Sequence, residues 1–247
     1  MSRRWRTAPP AASSRTCCRC APSPRRSGAT LLPMAVDTAH ASARGRSWWL
    51  RAAAVLVAPR AVFVSLRDES EAEVEARQEP QMAIAGLAGI AAVLGTPVAR
   101  HLLNDASFSV SLLPVWAFLG GAAYAVAGYW LGGGLLYGAA RRFGGLGSYR
   151  RARSVLALSA APLALALFTL WPVRIAIYGQ NLFRTGGTDW GPGDRTFGGL
   201  FYFAFAWSAV LLVIGVRSVH GWSWGRSLAT VALAAALPAL IVFATVA

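Results

Sequence analysis

Residues Gly221 to Gly225 form a short motif that is typical of nucleophilic enzymes. They read Gly-Trp-Ser-Trp-Gly, which fits the Gly-x-Ser-x-Gly pattern, and His220 stands directly before them. A nucleophile elbow needs a strand, a sharp turn and a helix, with an acid and a histidine later in the chain. No histidine follows Gly225, so we interpret the segment as a turn with interfacial tryptophans and assign no catalytic residue.

A second glycine-rich turn, Gly145-Leu146-Gly147, resembles the start of a dinucleotide-binding fingerprint. The third glycine of that fingerprint would fall at Arg150, and the sequence predicts no strand before the turn. The phosphate cradle needs both features, so we assign no cofactor.

Two groups of residues have the right chemistry for a metal but lack partners at a usable spacing. Cys17, Cys18 and Cys20 stand together, and the nearest histidine, His40, is twenty residues away. A structural zinc site needs a fourth ligand at a defined spacing. The carboxylates within residues 68–79 have no histidine among them. We predict no metal site, three free thiols, and a solvated helix or linker at the acidic run.

The composition is that of a membrane protein. Apolar residues make up 55% of the 247 and charged residues 14%, against about 25% charged in a soluble domain. The net charge is +14 and every cation is an arginine, a bias that favours a GC-rich, bacterial coding sequence. The arginines lie in tails and short loops beside apolar runs, so lipid headgroups and topology explain them, and we predict no nucleic-acid partner.

Five apolar runs are long enough to cross a bilayer, which takes about 20 residues. They are Met82–Ala99, Leu112–Ala140, Ser154–Val173, Thr196–Val216 and Ser227–Ala247. The predicted fold is therefore all-α, an integral membrane bundle of five transmembrane helices. Gly128 and Gly132, then Gly134 and Gly138, have the i, i+4 spacing of close helix packing. Pro97, Pro162, Pro172 and Pro238 fall within the runs, where neighbouring helices can satisfy the freed carbonyls.

The chain before the first run divides into two parts. Residues 1–47 are an Arg/Pro/Ser-rich tail that we predict to be disordered, and we expect translation to start at Met34, leaving 1–33 out. Residues 48–81 are a cytoplasmic segment, in which an interfacial amphipathic helix precedes the acidic run. The alternative is a helix packed on the protein's own bundle. Residues 82–247 are the five-helix transmembrane domain.

The distribution of arginine orients the bundle. With the N-terminus inside, the inner loops 141–153 and 217–226 hold seven arginines in 23 residues, and the outer loops 100–111 and 174–195 hold four in 34. The positive-inside rule therefore predicts a multi-pass protein of the cell (cytoplasmic) membrane, with the N-terminus cytoplasmic and the C-terminus extracytoplasmic.

Transport is the alternative function. Arg100, His101 and Arg174 lie at the outer ends of their runs, and ionisable residues at membrane depth are functional candidates by default. Snorkelling of the side chains toward the headgroups explains them as well. No run contains the Asp or Glu that a proton or ion path usually shows. A small-solute or ion transporter or channel component is therefore the alternative hypothesis for the function.

Three segments resemble the Yip family, the Ypt/Rab-interacting membrane proteins and their bacterial relatives. They are Gly144–Pro162, with its Gly-Gly-Leu-Gly-Ser-Tyr start; Pro59–Leu66, similar to the helix before the family's first span; and Trp207–Ser227, similar to its fourth span and the loop after it. The resemblance covers about residues 48–247. It implies five spans and a cytoplasmic N-terminus, in agreement with the arginine distribution.

The resemblance also bears on function. Eukaryotic Yip proteins are associated with Rab-type GTPases and vesicle traffic, whereas the bacterial branch has no settled activity. Because this chain resembles the bacterial branch, we predict a non-catalytic membrane scaffold or partner-binding protein. The expected partners are the lipid bilayer and other membrane or cytoplasmic proteins, bound through the Arg141–Arg153 loop, with a homo-oligomer as one form of such an assembly.

Overall fold

The computed structural model describes residues 50–70, 73–74, 78–145, 147–187 and 192–246. The predicted disordered tail, the three cysteines and the expected start at Met34 lie outside these residues. The α-helices described are α1 (50–57), α2 (Pro59–Asp68), α3 (Gln78–Leu94), α4 (Leu113–Val126), α5 (Gly133–Arg142), α6 (Tyr149–Ser159), α7 (Ala161–Tyr178), α8 (Pro192–His220) and α9 (Trp224–Val246). The described part contains no strand, so the all-α prediction is confirmed.

Shorter helical turns link several of these helices. A π-helical stretch, Ala127–Gly132, joins α4 to α5 without a break. Short 3₁₀ helices follow α3 and α7, at Ala99–Asn104 and Gly179–Phe183. The chain therefore contains helical segments that are longer than any single α-helix within them.

Within the described residues, three helical segments are long and apolar enough to cross a membrane. They are Val110–Arg142 with 33 residues, Tyr149–Phe183 with 35 and Gly193–His220 with 28. Trp224–Leu240 is a shorter apolar helix, and α3 has 17 residues. Helices of this length and composition are those of an integral membrane protein.

The four prolines take three different positions relative to the helices, which the sequence alone did not distinguish. Pro97 lies beyond the end of α3, so the predicted run Met82–Ala99 stops being α-helical at Leu94. Pro162 lies in the first turn of α7, where a missing N–H costs nothing. Pro172 and Pro238 are inside α7 and α9. Pro172 and Pro238 thus lie within helices as predicted, whereas Pro97 and Pro162 free no carbonyl inside an α-helix.

The apolar face of α2 packs on the bundle. Val62, Phe63 and Leu66 are buried, and Phe63 is fully inaccessible. They join a core cluster with Leu211 and Val216 of α8. The apolar side of this amphipathic helix is thus in contact with protein, as in the alternative prediction of a helix packed on the bundle. Arg60 and Arg67 on its other side are exposed.

A close helix crossing joins α3 to α4 at two glycines. A Cβ on Gly121 would lie 2.7 Å from the Cα of Ile90, and one on Gly89 would lie 2.9 Å from the backbone nitrogen of Ala125. Neither glycine is in the predicted packing pairs. At Gly128 and Gly138 no atom of another element lies within 4 Å of the Cβ position, so the packing role predicted for those two is wrong.

We expect Gly121→Ala to destabilise the protein, because the added methyl group has to push α3 away from α4. Overpacking of this kind costs about 1 to 3 kcal/mol. Thermal unfolding of the detergent-solubilised protein measures the effect. The matched control is Gly138→Ala, a helical glycine with open space, which should unfold at or above the wild-type temperature. Equal unfolding temperatures for the two variants would contradict the close crossing.

Candidate functional site at the arginine-rich end

The segment predicted as the loop Arg141–Arg153 is mostly helical. Arg141 and Arg142 end α5, and the other three arginines lie on α6. The residues described as non-helical are 143–145 and 147–148, and both adjoining helix ends are capped. Gly144 has φ 74°, and the Gly145 N–H donates to the Ala140 carbonyl at 2.9 Å, which ends α5. The Ser148 hydroxyl accepts from the Arg151 N–H and starts α6.

Three arginine-bearing segments meet at this end of the bundle. Arg151 of α6 donates to the Glu69 carbonyl, which follows α2, at 2.6 Å. Arg226 of α9 donates to the carbonyl of Phe143. Gly145 and Gly147 lie against the ring of His220. A Cβ on either glycine would come within about 3 Å of that ring. We call the assembly of residues 50–70, 141–153 and 217–226 the arginine end.

Buried polar contacts fix this assembly. Glu69, expected in a solvated acidic run, has a side chain only 10% exposed that accepts from Arg51 at 2.6 Å. The Ser154 hydroxyl donates to the side-chain oxygen of Gln81 at 2.8 Å, and both residues are buried. Solvation is therefore the wrong prediction for Glu69, whose carboxylate joins α1 to the end of α2.

Arg153 is buried in a cage of aromatic rings. Its side chain is 4% exposed, and its guanidinium lies 4.2 Å from the ring centre of Trp130, 4.6 Å from that of Tyr149 and 5.1 Å from that of Tyr129. No carboxylate pairs with it in the described part of the chain. Cation–π attraction to three rings therefore provides the stabilisation that an ion pair would otherwise give.

The π-helical stretch and Gly133 make room for this cage. In a π-turn the backbone bonds shift by one residue and can leave a carbonyl available. The Tyr149 hydroxyl donates to the Trp130 carbonyl within the stretch at 2.7 Å. A Cβ on Gly133 would collide with the stem of Arg153. Arg153 thus holds α6 against the junction of α4 and α5 and does not reach the surface where a partner would bind.

The Gly-x-Ser-x-Gly motif is a turn between two helices. α8 ends at His220, Gly221 has φ 66°, and α9 begins at Trp224. The Nδ1–H of His220 donates to the Val216 carbonyl at 3.0 Å, and the ring of His220 stacks on Trp222. This is a helix-turn-helix context, whereas the nucleophile elbow requires a strand before the serine. The interpretation as a turn with tryptophans agrees with this geometry.

A buried ion pair lies far from the arginine end. Arg174 is 21 residues after Arg153, or about 30 Å along a helix. It is 4% exposed and pairs with Asp194, which also accepts from Arg100 at 3.3 Å. Snorkelling is therefore the wrong explanation for Arg174. The predicted outer loop ends early, since α8 begins at Pro192 and puts Asp194 in its first turn, where a carboxylate is favourable.

Hydrogen bonds also join the neighbouring turns at that end. His101 Nδ1 lies 2.6 Å from the Thr185 hydroxyl, and Asn104 bonds to Thr185 through both its side-chain oxygen and nitrogen. Ser107 donates its N–H and hydroxyl to Asp105 and so holds the pKa of that exposed carboxyl below its usual range. The three transport candidates, Arg100, His101 and Arg174, therefore all have partners within the protein.

Sequence reasoning missed Arg153 and Asp194 as structural residues. Their position beside an apolar run could have indicated this role, because a charge there has to be paired or stabilised by the protein. In the described residues no group of three His, Cys, Asp or Glu is placed to hold a metal ion. The site thus consists of cationic surface and aromatic rings.

These features define an all-helical protein whose long apolar helices are those of a membrane protein, with arginines gathered at one end. The chain belongs to the Yip1 domain family, whose model matches residues 53–246. This confirms the resemblance drawn from the sequence. No curated protein and no solved structure matches the chain. The Yip1 domain family is not a known enzyme family.

We expect Arg153→Lys to lower the stability of the protein by about 2 kcal/mol, because an ammonium cannot stack on three rings as a guanidinium does. Thermal unfolding in detergent is the measurement. Arg142→Lys, at the exposed end of α5, is the matched control and should leave stability unchanged. If both variants unfold at the same temperature, the cage does not stabilise the bundle.

Asp194→Asn should be more destabilising, by about 3 to 5 kcal/mol, since it leaves Arg174 buried without a counter-charge. Chemical unfolding of the solubilised variant tests this. Asp105→Asn is the control, because its exposed side chain can still accept the Ser107 hydrogen bonds through an amide oxygen. If Asp194→Asn loses no more stability than Asp105→Asn, the Arg174–Asp194 pair does not stabilise the protein.

Proposed function

We propose that this protein is a non-catalytic membrane scaffold that binds protein partners of acidic character through the arginine end. One observation carries the proposal: segments far apart in the sequence are joined there by specific contacts, Arg151 to Glu69 and Arg226 to Phe143. Exposed arginines from all three are Arg60, Arg67, Arg141, Arg142 and Arg226. A cationic surface of this kind attracts acidic partners and sets the orientation in which they bind.

The proposed topology has five spans, the N-terminus in the cytoplasm and the C-terminus outside. α4 to α8 supply the three long segments, and α3 and α9 supply the other two. At 1.5 Å per residue α3 is about 26 Å long, slightly less than the bilayer core of about 30 Å. Arginines at one end of the bundle support this orientation through the positive-inside rule, and we assign the protein to a bacterial cell membrane.

The proposed domain organisation follows from that topology. Residues 1–47 are the tail, 48–81 the cytoplasmic segment and 82–247 the transmembrane domain. The exposed side of α2, with Arg60 and Arg67, lies at the level of the headgroups, while its apolar side contacts the bundle. The scaffold surface is then rigid, because the contacts between segments are within the protein.

A small-solute or ion transporter is the second candidate, favoured by the buried Arg174–Asp194 pair. Charges at membrane depth often mark substrate or ion pathways. Arg100 and Arg174 both pair with the carboxylate of Asp194, however, as expected of a structural cluster. The scaffold is preferred because the pair already has the partners that a structural role requires.

Photo-crosslinking in native membranes followed by affinity capture tests the scaffold proposal. The wild type should recover a defined set of proteins, and the double variant Arg141→Gln, Arg142→Gln should recover about tenfold less, as expected for two surface charges of about 0.7 kcal/mol each. The matched control is Arg184→Gln, Arg195→Gln, two exposed arginines near the other end.

Two results would contradict the proposal. The first is recovery of no specific protein, or an equal loss in the control. The second comes from purified protein in liposomes: solute flux that Arg174→Ala abolishes would establish transport instead. Absence of flux over a broad panel of solutes supports the scaffold.

A further inference from the structure

A groove lies between α2 and the junction of α8 with α9. Its volume is about 910 Å³, comparable to sites that hold a whole small ligand. It is lined by charged Arg60, Asp68 and Arg217, by apolar Pro59, Val64 and Ile214, and by Trp224, among others. The groove belongs to the arginine end, but the exposed Arg141 and Arg142 are not among the residues that line it.

The charges of the groove are not neutralised within the described part of the protein. Neither Arg60 nor Arg217 takes part in an ion pair there. The Arg217 guanidinium lies 4.4 Å over the ring of Trp224, and its Nε is buried with no hydrogen-bond partner. Two arginines against the one carboxylate of Asp68 leave the groove positive, so it is complementary to an anion.

The groove also changes character along its length. Ile214 lies inside the predicted span Thr196–Val216, and Arg217 comes one residue after that span ends. Val64 is 40% exposed and Trp224 54% exposed. In the proposed topology, one end of the groove is therefore apolar at membrane depth and the other is cationic at the level where tryptophan and headgroups meet. A molecule that fits both ends is amphiphilic.

We propose that this groove binds one anionic phospholipid. Its phosphate is held by Arg60 and Arg217, and an acyl chain lies along Val64 and Ile214. Asp68 accepts a hydrogen bond from a hydroxyl of the headgroup. The proposal rests on the proposed function only for the membrane position of α2, since it requires no protein partner.

An acidic peptide fits the groove less well. A peptide would be attracted by the arginines, but its polar backbone could not extend into hydrocarbon beside Ile214 without losing its hydrogen bonds to water. A lipid has no such cost, because its apolar part is already in the membrane. The depth of the groove thus favours lipid over peptide.

Native mass spectrometry of the protein in nanodiscs of phosphatidylcholine and phosphatidylglycerol tests the proposal. We expect the wild type to retain phosphatidylglycerol in preference to phosphatidylcholine. An arginine near an anionic membrane surface contributes about fivefold in affinity, so Arg60→Gln should reduce this preference about fivefold and Arg60→Gln, Arg217→Gln about 25-fold. Arg184→Gln, exposed near the other end, is the matched control and should retain the wild-type preference.

Two further measurements keep the test decisive. Arg217→Lys preserves the charge and should keep most of the preference, and thermal unfolding of every variant shows whether the fold survives. If Arg217→Gln fails to fold, the lipid preference of Arg60→Gln alone decides the test, because Arg60 is exposed. A soluble competitor, glycerol 3-phosphate in excess, should not displace the lipid, because it lacks the acyl chain.

The proposal is overturned if the wild type shows no preference for phosphatidylglycerol, if Arg184→Gln loses it as much as Arg60→Gln, or if glycerol 3-phosphate displaces the lipid. Capture of a protein by the same groove in place of lipid also overturns it. The partner capture described above uses Arg141 and Arg142, so loss of lipid preference with intact partner capture, or the reverse, separates this proposal from the scaffold.

Discussion

The burial of arginine side chains beside apolar helices is the constraint on which the rest of the structure depends. A guanidinium removed from water needs compensation from the protein, because desolvation of an ion costs several kcal/mol. Arg174 obtains it from the carboxylate of Asp194, whereas Arg153 obtains it from the faces of three aromatic rings. Both solutions tie helices together that are separate in sequence.

The two solutions differ in what they leave for function. At one end of the bundle, Arg174 and Arg100 both pair with Asp194, so these charges form contacts within the protein. At the arginine end the aromatic cage surrounds Arg153, and the backbone carbonyls of Glu69 and Phe143 accept hydrogen bonds from Arg151 and Arg226. Arg60, Arg67, Arg141 and Arg142 are exposed at that end, so positive charge is present at its surface.

The sequence predicts the class of this structure well because length and hydropathy are properties of single segments. It predicts that Leu112–Ala140 and Thr196–Val216 are helical, and they lie within longer apolar helices. It does not predict which glycines meet, since the crossing of Gly89 with Gly121 depends on the orientation of two helices. Spacing alone favoured Gly128 and Gly138, which contact nothing across a helix interface.

The site follows the same rule. Local patterns place arginines at helix ends, and the positive-inside reasoning needs nothing more. The burial of Arg153 depends on Tyr129 and Trp130, which come from a preceding helical segment, and on Gly133 beside its stem. The pairing of Arg174 with Asp194 joins α7 to α8. Such contacts between distant residues are consequences of the fold, so they could not be read from neighbouring residues.

The π-helical stretch Ala127–Gly132 has a consequence for the phase of the helix that contains it. One extra residue turns every later side chain by about 100° relative to an uninterrupted α-helix. α4, before the stretch, packs on α3, whereas α5, after it, packs on α6 and α9. A single continuous helical segment thus presents differently directed faces to two sets of neighbours.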